Sequence, residues 1–106
     1  FPTRRSSDLD LDYSMFAHDA IMLTGLESKR VRLLDPKGRG VSMYIGDFAA
    51  LGIWTPSSID SPFICLEPWN GLPAFANETG KFEDKPFVIK LDAAKEYSAS
   101  FSLEIL

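Results

Sequence analysis

The sequence predicts an all-β protein whose strands form an antiparallel β-sandwich or part of one. Apolar and polar residues alternate in several short stretches, which is the pattern of a strand with one buried face. Turn residues such as Gly, Pro, Asn and Asp separate these stretches, and none of them has the periodicity of a strong helix. The chain has 106 residues, of which 45% are hydrophobic and 25% are charged. That length and composition are typical of at most one globular domain.

The overall composition argues against several classes of function. The net charge of −4 and the lack of a basic patch in the sequence argue against a nucleic-acid binder. The sequence has no run of about 18 apolar residues, which a membrane span requires, so no membrane partner is expected. With one cysteine and one histidine, neither an internal disulfide nor an ordinary zinc site is expected. Nothing in the sequence indicates export, so we expect a cytoplasmic location.

Residues 1–9 do not resemble the start of a domain. This segment, FPTRRSSDL, has no periodicity, no initiator Met and no apolar core of a signal peptide. It resembles the translation of a sequencing adapter, so we expect a non-native, disordered tail joined to a truncated gene. A natural flexible tail is the alternative. The predicted domain segment therefore covers residues 10–106.

Two strands and the turn between them form the clearest hairpin in the sequence. In residues 28–34 apolar side chains alternate with arginines, and in residues 41–45 they alternate with Ser42 and Tyr44. Residues 35–40 (DPKGRG) are a turn by composition, because Pro presets one dihedral angle and Gly allows a positive φ. We therefore expect an antiparallel pair with one buried and one solvated face.

The other apolar stretches predict further elements. Residues 48–55 are apolar almost throughout, and Gly52 interrupts them. We expect a short helix there that leads into a strand at Gly52. The remaining expectations are a short helix or extended arm at 12–16, strands at 18–23, 87–91 and 97–105, and a long loop, facing a substrate, at 72–83.

The chemically most informative stretch is residues 63–69, FICLEPW. The period of two places Glu67 on one strand face with Phe63, Cys65 and Trp69. Pro68 cannot donate a ladder hydrogen bond, so the strand must end, bulge or lie at a sheet edge there. Burying a carboxylate without a partner is costly. Glu67 is therefore either desolvated for a purpose or exposed at a strand end, and the spacing leaves both readings open.

Three groups of residues could carry chemistry. A carboxylate beside the rings of Phe63 and Trp69, with Trp54 from a nearby strand as a further candidate, would be a stronger general base, and aromatic faces suit the C–H faces of sugars. His18 and Asp19 form a His–acid pair, but neighbouring residues of a strand point to opposite faces, so a surface histidine is the competing reading. The basic residues could bind an anion or simply form a solvated hairpin face: Lys29, Arg30, Arg32, Lys37 and Arg39.

Two stretches of the chain are apolar on both faces. They are residues 48–54 and residues 63–66, whereas small antiparallel domains normally leave one sheet face to water. Either some of this surface packs against protein outside the chain, or the chain forms a compact sandwich with a large inner cluster.

Three motifs resemble a known family. The strings LGIWT (51–55), PFICLEPWNG (62–71) and FEDKP (82–86) are similar to the C-terminal part of aldose 1-epimerases, in the bacterial branch of galactose mutarotase-like proteins. The likeness covers about residues 12–106, and CLEPWNG is its most specific string. It implies a C-terminal part of a large antiparallel β-supersandwich with the sugar in a cleft. It also implies interconversion of α and β anomers of an aldose such as glucose or galactose, with no metal or organic cofactor.

The resemblance also implies roles for individual residues. Glu67 matches the catalytic base that takes the proton from the anomeric hydroxyl, while a histidine protonates the ring oxygen. Trp54 and Asp19 lie near the positions where the family contacts the sugar. The family's catalytic histidines belong to an N-terminal half that this chain lacks, and His18 is not in the matching motif. We therefore expect the missing half of the domain to be a partner and this chain alone to be inactive.

Two other functions compete with this interpretation. One is a non-catalytic carbohydrate-binding β-sandwich that uses Trp54 and Trp69 as stacking platforms. The other is a sugar-phosphate epimerase within the same family, which would need an Arg cluster that the sequence does not show.

Overall fold

The structure is a computed structural model that describes residues 8–73 and 76–106, and it confirms an all-β fold. Two three-stranded antiparallel sheets have the orders β1-β4-β5 and β2-β3-β6. The strands are β1 (Ile21–Thr24), β2 (Arg30–Leu34), β3 (Gly40–Tyr44), β4 (Ala50–Trp54), β5 (Cys65–Trp69) and β6 (Ser102–Ile105), with short 3-10 helices at Tyr13–Phe16 and Phe82–Asp84. This arrangement is consistent with the predicted β-sandwich.

The core includes side chains from both sheets. Leu51 and Ile53 of β4 pack in one cluster with Met43 of β3 and with Ile45, which follows β3. Phe16, from the first 3-10 helix, completes the buried part of that cluster. Helix formation at 12–16, one of the two expected possibilities, therefore brings a phenylalanine into the core. Since Leu51 and Ile53 are two residues apart, one face of the sheet β1-β4-β5 is the core face.

The hairpin of β2 and β3 confirms the strand prediction for this region. Val31 and Leu33 are half-buried and alternate with exposed arginines. Ser42 differs from the expectation of a solvated outer face, because only 3% of it is exposed. Arg30 covers it: its Nη1 donates to Ser42 Oγ at 3.1 Å, and its guanidinium lies 5.5 Å from the centre of the Tyr44 ring. The outer face of this hairpin is thus polar, but not all of its side chains are exposed to solvent.

Asp35 holds the turn of this hairpin. Its Oδ1 accepts from the backbone N–H groups of Lys37 and Arg39, each at 2.9 Å, and its Oδ2 pairs with the Arg39 guanidinium at 3.0 Å. The Arg39 backbone N–H, above all, holds the pKa of Asp35 below its usual range, with the Arg39 side chain and the Lys37 N–H acting in the same direction. The turn therefore favours the ionised carboxylate.

We expect the free energy of unfolding to fall when this carboxyl is protonated. A pKa lowered by folding adds stability that is present above the unfolded value of about 4 and is lost as the pH falls through the folded value. Asp35→Asn should reduce the loss of stability between about pH 4 and pH 2, measured by urea unfolding at each pH. It should not remove it, because hydrogen bonds from Ser14 lower the pKa of Asp12 as well.

Asp60→Asn is the matched control, since Asp60 is an exposed loop residue. This variant should keep the acid sensitivity of the unchanged chain. If Asp35→Asn and Asp60→Asn lose stability equally on acidification, the turn carboxylate does not contribute as described.

The short helix expected before Gly52 is wrong, whereas the strand expected from Gly52 is confirmed and already begins at Ala50. Residues 50–54 form β4, the central strand of its sheet, which pairs with β1 on one side and β5 on the other. The pairing begins one residue earlier, where Ala49 N–H donates to Trp69 O at 3.2 Å. Two flanking strands satisfy the backbone donors and acceptors of this segment, so extended structure outweighs the local preference of its alanines for a helix.

The prediction of two strands near the C-terminus, at 87–91 and 97–105, is also largely wrong. Residues 87–91 form no strand, and Phe87 has a φ of 59°, outside the extended region. Its carbonyl instead accepts from Gly71 N–H at 2.8 Å. Of the alternating stretch 97–105, only β6 is a strand, and every residue of β6 is exposed. Alternation identified an apolar face here, and Phe48 contacts it at Phe101, with 6.3 Å between the ring centres, but the apolar side chains of this face remain exposed.

The C-terminal apolar residues form a surface rather than a core. Leu91, Phe101, Leu103 and Ile105 are all more than half exposed. The Cα radius of gyration is 16.0 Å, whereas a compact domain of about 100 residues has about 13 Å. Both observations disagree with a compact sandwich built around a large inner cluster. Leu103 and Ile105, two residues apart on β6, share one exposed face of that strand, and exposed apolar surface is typical of a region that contacts other protein.

Three further expectations concern the ends and the loops of the chain. Residues 1–7 of the expected tail lie outside the described residues, while Asp8 and Leu9 are exposed and precede the first helix. The expected loop at 72–83 is irregular up to residue 81 where it is described, its last two residues belong to the second 3-10 helix, and its residues 74–75 lie outside the described part. Among residues 8–73 and 76–106, no helix has the length and apolarity needed to cross a membrane.

Candidate functional site

The pairing of β4 with β5 determines which side chains share the sheet face opposite the core. The register places Gly52 opposite Glu67, Ala50 opposite Trp69 and Trp54 opposite Cys65. Paired residues of antiparallel strands lie on the same face, and all of these alternate with the core residue Leu51. Met22 of β1, opposite Gly52, belongs to the same face. We call this surface the site face: Met22, Ala50, Gly52, Trp54, Cys65, Glu67 and Trp69.

Glu67 is half-buried in the middle of β5 and has a specific partner. The indole Nε1–H of Trp69 donates to Glu67 Oε2 at 3.0 Å. The two residues are two positions apart on one strand, so their side chains emerge on the same face. Pro68 between them lies on an edge strand, as its missing N–H predicts. Glu67 is therefore neither an unpaired buried charge nor a fully solvated strand end.

Gly52 allows the indole to lie close to the sheet. A Cβ at this position would lie 3.2 Å from Trp69 Nε1 and 3.1 Å from Met22 Sδ. Both distances are shorter than ordinary van der Waals contacts, so a side chain would push one neighbour away. The glycine in the apolar run 48–55 thus provides the place where the Trp69 ring reaches Glu67.

The end of β5 is tied to two other segments. Asn70 Oδ1 accepts from Ala49 N–H at 3.2 Å, and Asn70 Nδ2 donates to Tyr97 Oη at 3.1 Å. Gly71 N–H donates to Phe87 O at 2.8 Å. These bonds connect the residues after Trp69 to β4 and to the C-terminal segment. They restrict the backbone that carries the Glu67–Trp69 pair.

Trp54 lies on the site face, near the opposite end from Trp69. It is half-buried, and its ring centre is 6.2 Å from that of Phe63, with an angle of 55° between the ring planes. The register makes Trp54 a diagonal neighbour of Glu67 across the β4–β5 pair, a relation that spans about 7–8 Å. Sequence reasoning placed these two residues near each other, and the sheet brings them onto one surface.

Asp19 is not grouped with Glu67 by the sheet. It is exposed and lies in the bend before β1, and β4 separates β1 from β5. Its Oδ1 accepts from Ala20 N–H at 2.7 Å, and its φ is 99°, an unusual value for a residue other than glycine. His18 is exposed beside it. A sugar-contacting role for Asp19 stays a prediction.

A cavity of about 380 Å³ adjoins one end of the site face through Phe63, but its lining includes no residue of that face. Its lining includes Tyr13, Thr55 and Phe63 but not Glu67, Trp54 or Trp69. The polar groups there are used for structure, because Tyr13 Oη donates to Ser61 O at 2.7 Å and Thr55 Oγ1 donates to Phe63 O at 2.8 Å. For this reason we place the candidate chemistry on the site face rather than in this cavity.

The described residues contain no group of three or more His, Cys, Asp or Glu side chains that could hold a metal ion. Cys65 is a free, half-buried thiol on the site face. The basic residues of the hairpin are mostly exposed, as expected for its solvated face, with Arg30 and Arg39 engaged by Ser42 and Asp35.

Sequence reasoning missed two contributors to this site. It placed Trp69 on the face of Glu67 but not as a hydrogen-bond donor to it, and it treated Gly52 only as a break between a helix and a strand. The i, i+2 spacing of Glu67 and Trp69 was an available signal for the first. The second depends on strand pairing, which the local sequence does not contain.

The chain is similar to two LacX proteins of Lactococcus lactis subsp. lactis. It is 44% identical over 99 residues to the chromosomal Protein LacX and 43% identical over 99 residues to the plasmid Protein LacX. Each match covers 92% of this chain and 33% of the relative. The chain thus spans about a third of the length of the curated relatives it matches. No model of a known protein family matches the chain, and no solved structure matches it.

Proposed function

We propose that this chain is the C-terminal portion of an aldose 1-epimerase, related to the LacX proteins, and that Glu67 is its general base. The observation that carries the proposal is the half-buried Glu67 carboxylate, which a hydrogen bond from Trp69 holds on the sheet face opposite the core. The resemblance of the string CLEPWNG to aldose 1-epimerases supports the same assignment. The position of Trp54 also supports it, because this ring is suited to the apolar face of a hexose and is the diagonal neighbour of Glu67 across the β4–β5 pair.

The proposed reaction uses acid–base chemistry without a cofactor. Glu67 accepts the proton of the anomeric hydroxyl while an acid outside this chain protonates the ring oxygen, and the C1–O5 bond breaks. Rotation about C1–C2 then exposes the other face of the aldehyde, and ring closure reverses both proton transfers. An acid and a base that exchange roles in this way work best when both can gain and lose protons near neutral pH.

The acid is proposed to come from polypeptide beyond this chain. The one histidine, His18, is exposed in the bend before β1, on the far side of β4 from Glu67. The relatives are about three times as long as the part that matches. The exposed apolar residues of β6 and of the segment before it would then be covered by the remainder of such a chain. A protein of the relatives' length that contains this sequence is called the full-length protein below.

Polarimetry tests the proposed function. Freshly dissolved α-D-glucose or α-D-galactose should reach its anomeric equilibrium faster with the full-length protein than in buffer alone. The 106-residue chain by itself should give the buffer rate, because it lacks the acid. A full-length protein that gives only the buffer rate with each aldose would contradict the proposal, and an active isolated chain would contradict the division of the site.

A non-catalytic carbohydrate-binding β-sandwich is the second candidate. The observation in its favour is the tilted pair of Trp54 and Phe63 at one end of the site face, since Phe63 is 51% exposed and could extend a stacking platform. That function predicts sugar binding that depends on the aromatic residues and does not involve turnover. A sugar-phosphate substrate is a further variant, and it would need a phosphate-binding Arg cluster from outside this chain.

A further inference from the structure

We propose that Trp69 is a positioning residue that engages one oxygen of the Glu67 carboxylate and leaves the other oxygen to accept the substrate proton. This inference rests on the proposed function of Glu67. It assigns to Trp69 a role different from the sugar-stacking platform that its aromatic ring suggests. The indole acts through its N–H and not through its face.

The geometry supports a directed hydrogen bond. Trp69 Nε1 lies 3.0 Å from Glu67 Oε2, within the usual range for an N–H donor and a carboxylate. Indole has one N–H and no acceptor, so this bond occupies the whole hydrogen-bonding capacity of the Trp69 side chain. The carboxylate keeps a second oxygen, Oε1, free of this donor. The pair therefore makes the two carboxylate oxygens inequivalent.

The surroundings of the indole restrict where it can lie. The position of a Cβ on Gly52 would be 3.2 Å from Nε1, so the edge of the ring lies directly over the glycine. The backbone carbonyl of Trp69 accepts from Ala49 N–H, and Asn70, the next residue, accepts from the same N–H. The position of the ring is thus restricted by its close approach to Gly52 and by the hydrogen bond between its own backbone and Ala49, directly before β4. A ring held in this way can hold the carboxylate that it contacts.

The role proposed for Trp69 uses the edge of its ring. The N–H edge is turned towards Glu67, whereas a stacking platform would use the ring face. Trp54, whose Nε1 is not bonded to Glu67 in the structure, is the better candidate for a platform on the site face. Loss of Trp69 should therefore affect the rate of proton transfer more than the affinity for sugar.

NMR of the 106-residue chain tests the hydrogen bond without any activity. The chain has two tryptophans, so the indole region of a ¹⁵N–¹H spectrum contains two signals, and Trp54→Phe assigns them. On acidification the Trp69 indole signal should move when the Glu67 carboxylate is protonated. In Glu67→Gln the amide oxygen can still accept the bond but does not ionise, so that movement should disappear. Gly52→Ala should weaken the bond and shift the signal at constant pH.

Two results would overturn the assignment. One is a Trp69 indole signal that moves no more than the Trp54 signal between neutral and acidic pH. The other is a movement of the same size in Glu67→Gln, which would trace it to another group. A chain that does not give dispersed signals is measured within the full-length protein, where the same variants and the same comparison apply.

Kinetics of the full-length protein test the positioning role. Trp69→Phe keeps an aromatic ring but removes the N–H, and it should lower kcat by about ten- to a hundredfold with little change in KM, because misplacement of a catalytic group has effects of that size. A raised KM with unchanged kcat would instead identify Trp69 as a binding platform. If the unchanged full-length protein shows no turnover, the proposed function fails, while the NMR result still decides whether the hydrogen bond exists.

Discussion

Glu67→Gln should lower the kcat of the full-length protein by about a hundredfold to ten-thousandfold, the range that general acid–base catalysis contributes. Glutamine has almost the same shape, and its amide oxygen can accept the bond from Trp69 Nε1, so the site face should keep its structure. It cannot take a proton from the anomeric hydroxyl at neutral pH. Sugar affinity, measured by calorimetry with the equilibrium mixture of anomers, should change only slightly.

The control for this variant is Glu27→Gln, which makes the same chemical change at an exposed residue between β1 and β2. It should keep the kcat of the unchanged protein. A Glu67→Gln protein with full turnover would show that Glu67 is not the base. Sugar binding that persists without any turnover in the unchanged protein would favour the carbohydrate-binding alternative.

Leu51→Ala should be among the most destabilising single substitutions in this chain. Leu51 is fully buried in β4, the central strand between β1 and β5, and belongs to the cluster shared by both sheets. Truncation of a buried leucine removes transfer free energy and leaves a cavity, which together cost about 2–5 kcal/mol. Urea unfolding of the chain, followed by fluorescence, should show the midpoint shifted to lower urea by a corresponding amount.

Leu91→Ala is the matched control, because Leu91 is 54% exposed in this chain. It should change the free energy of unfolding by about 0.5 kcal/mol or less, as for most surface substitutions. Equal effects of the two variants would contradict the position of the core. A large effect of Leu91→Ala only in the full-length protein would instead show that further polypeptide covers that leucine.

Much of the fold could be predicted where the local pattern and the final environment agree. The hairpin of β2 and β3 has both strong alternation and a turn sequence that closes on itself, and its prediction is confirmed with Val31 opposite Met43. Pro68 likewise limited its strand to an end, a bulge or a sheet edge, because a missing N–H restricts a strand wherever it is placed, and β5 is an edge strand. In both cases the relevant physics acts over a few residues.

Predictions failed where the deciding interactions are distant in sequence. Residues 48–55 have no local feature that reveals two neighbouring strands, one about thirty residues earlier in the chain and one about fifteen later, as the pairs Met22–Gly52 and Gly52–Glu67 show. The alternation of 97–105 correctly identified an apolar face, but alternation cannot state whether anything covers it. Register and burial depend on these non-local contacts.

For the candidate site, too, local sequence predicts some features and contacts between distant segments decide the others. The two-residue period alone places Glu67 on the same face as Trp69. The resemblance of CLEPWNG to aldose 1-epimerases supplies the proposed role of Glu67 as the base. Strand pairing turns that face away from the core, brings Gly52 beneath the indole and makes the Trp69 N–H the partner of the carboxylate. Periodicity along a strand is a local property of the backbone, so the sequence determines which residues share a face. Which face meets the core, and which neighbour meets Glu67, depends on pairing between distant segments, and only the folded chain provides it.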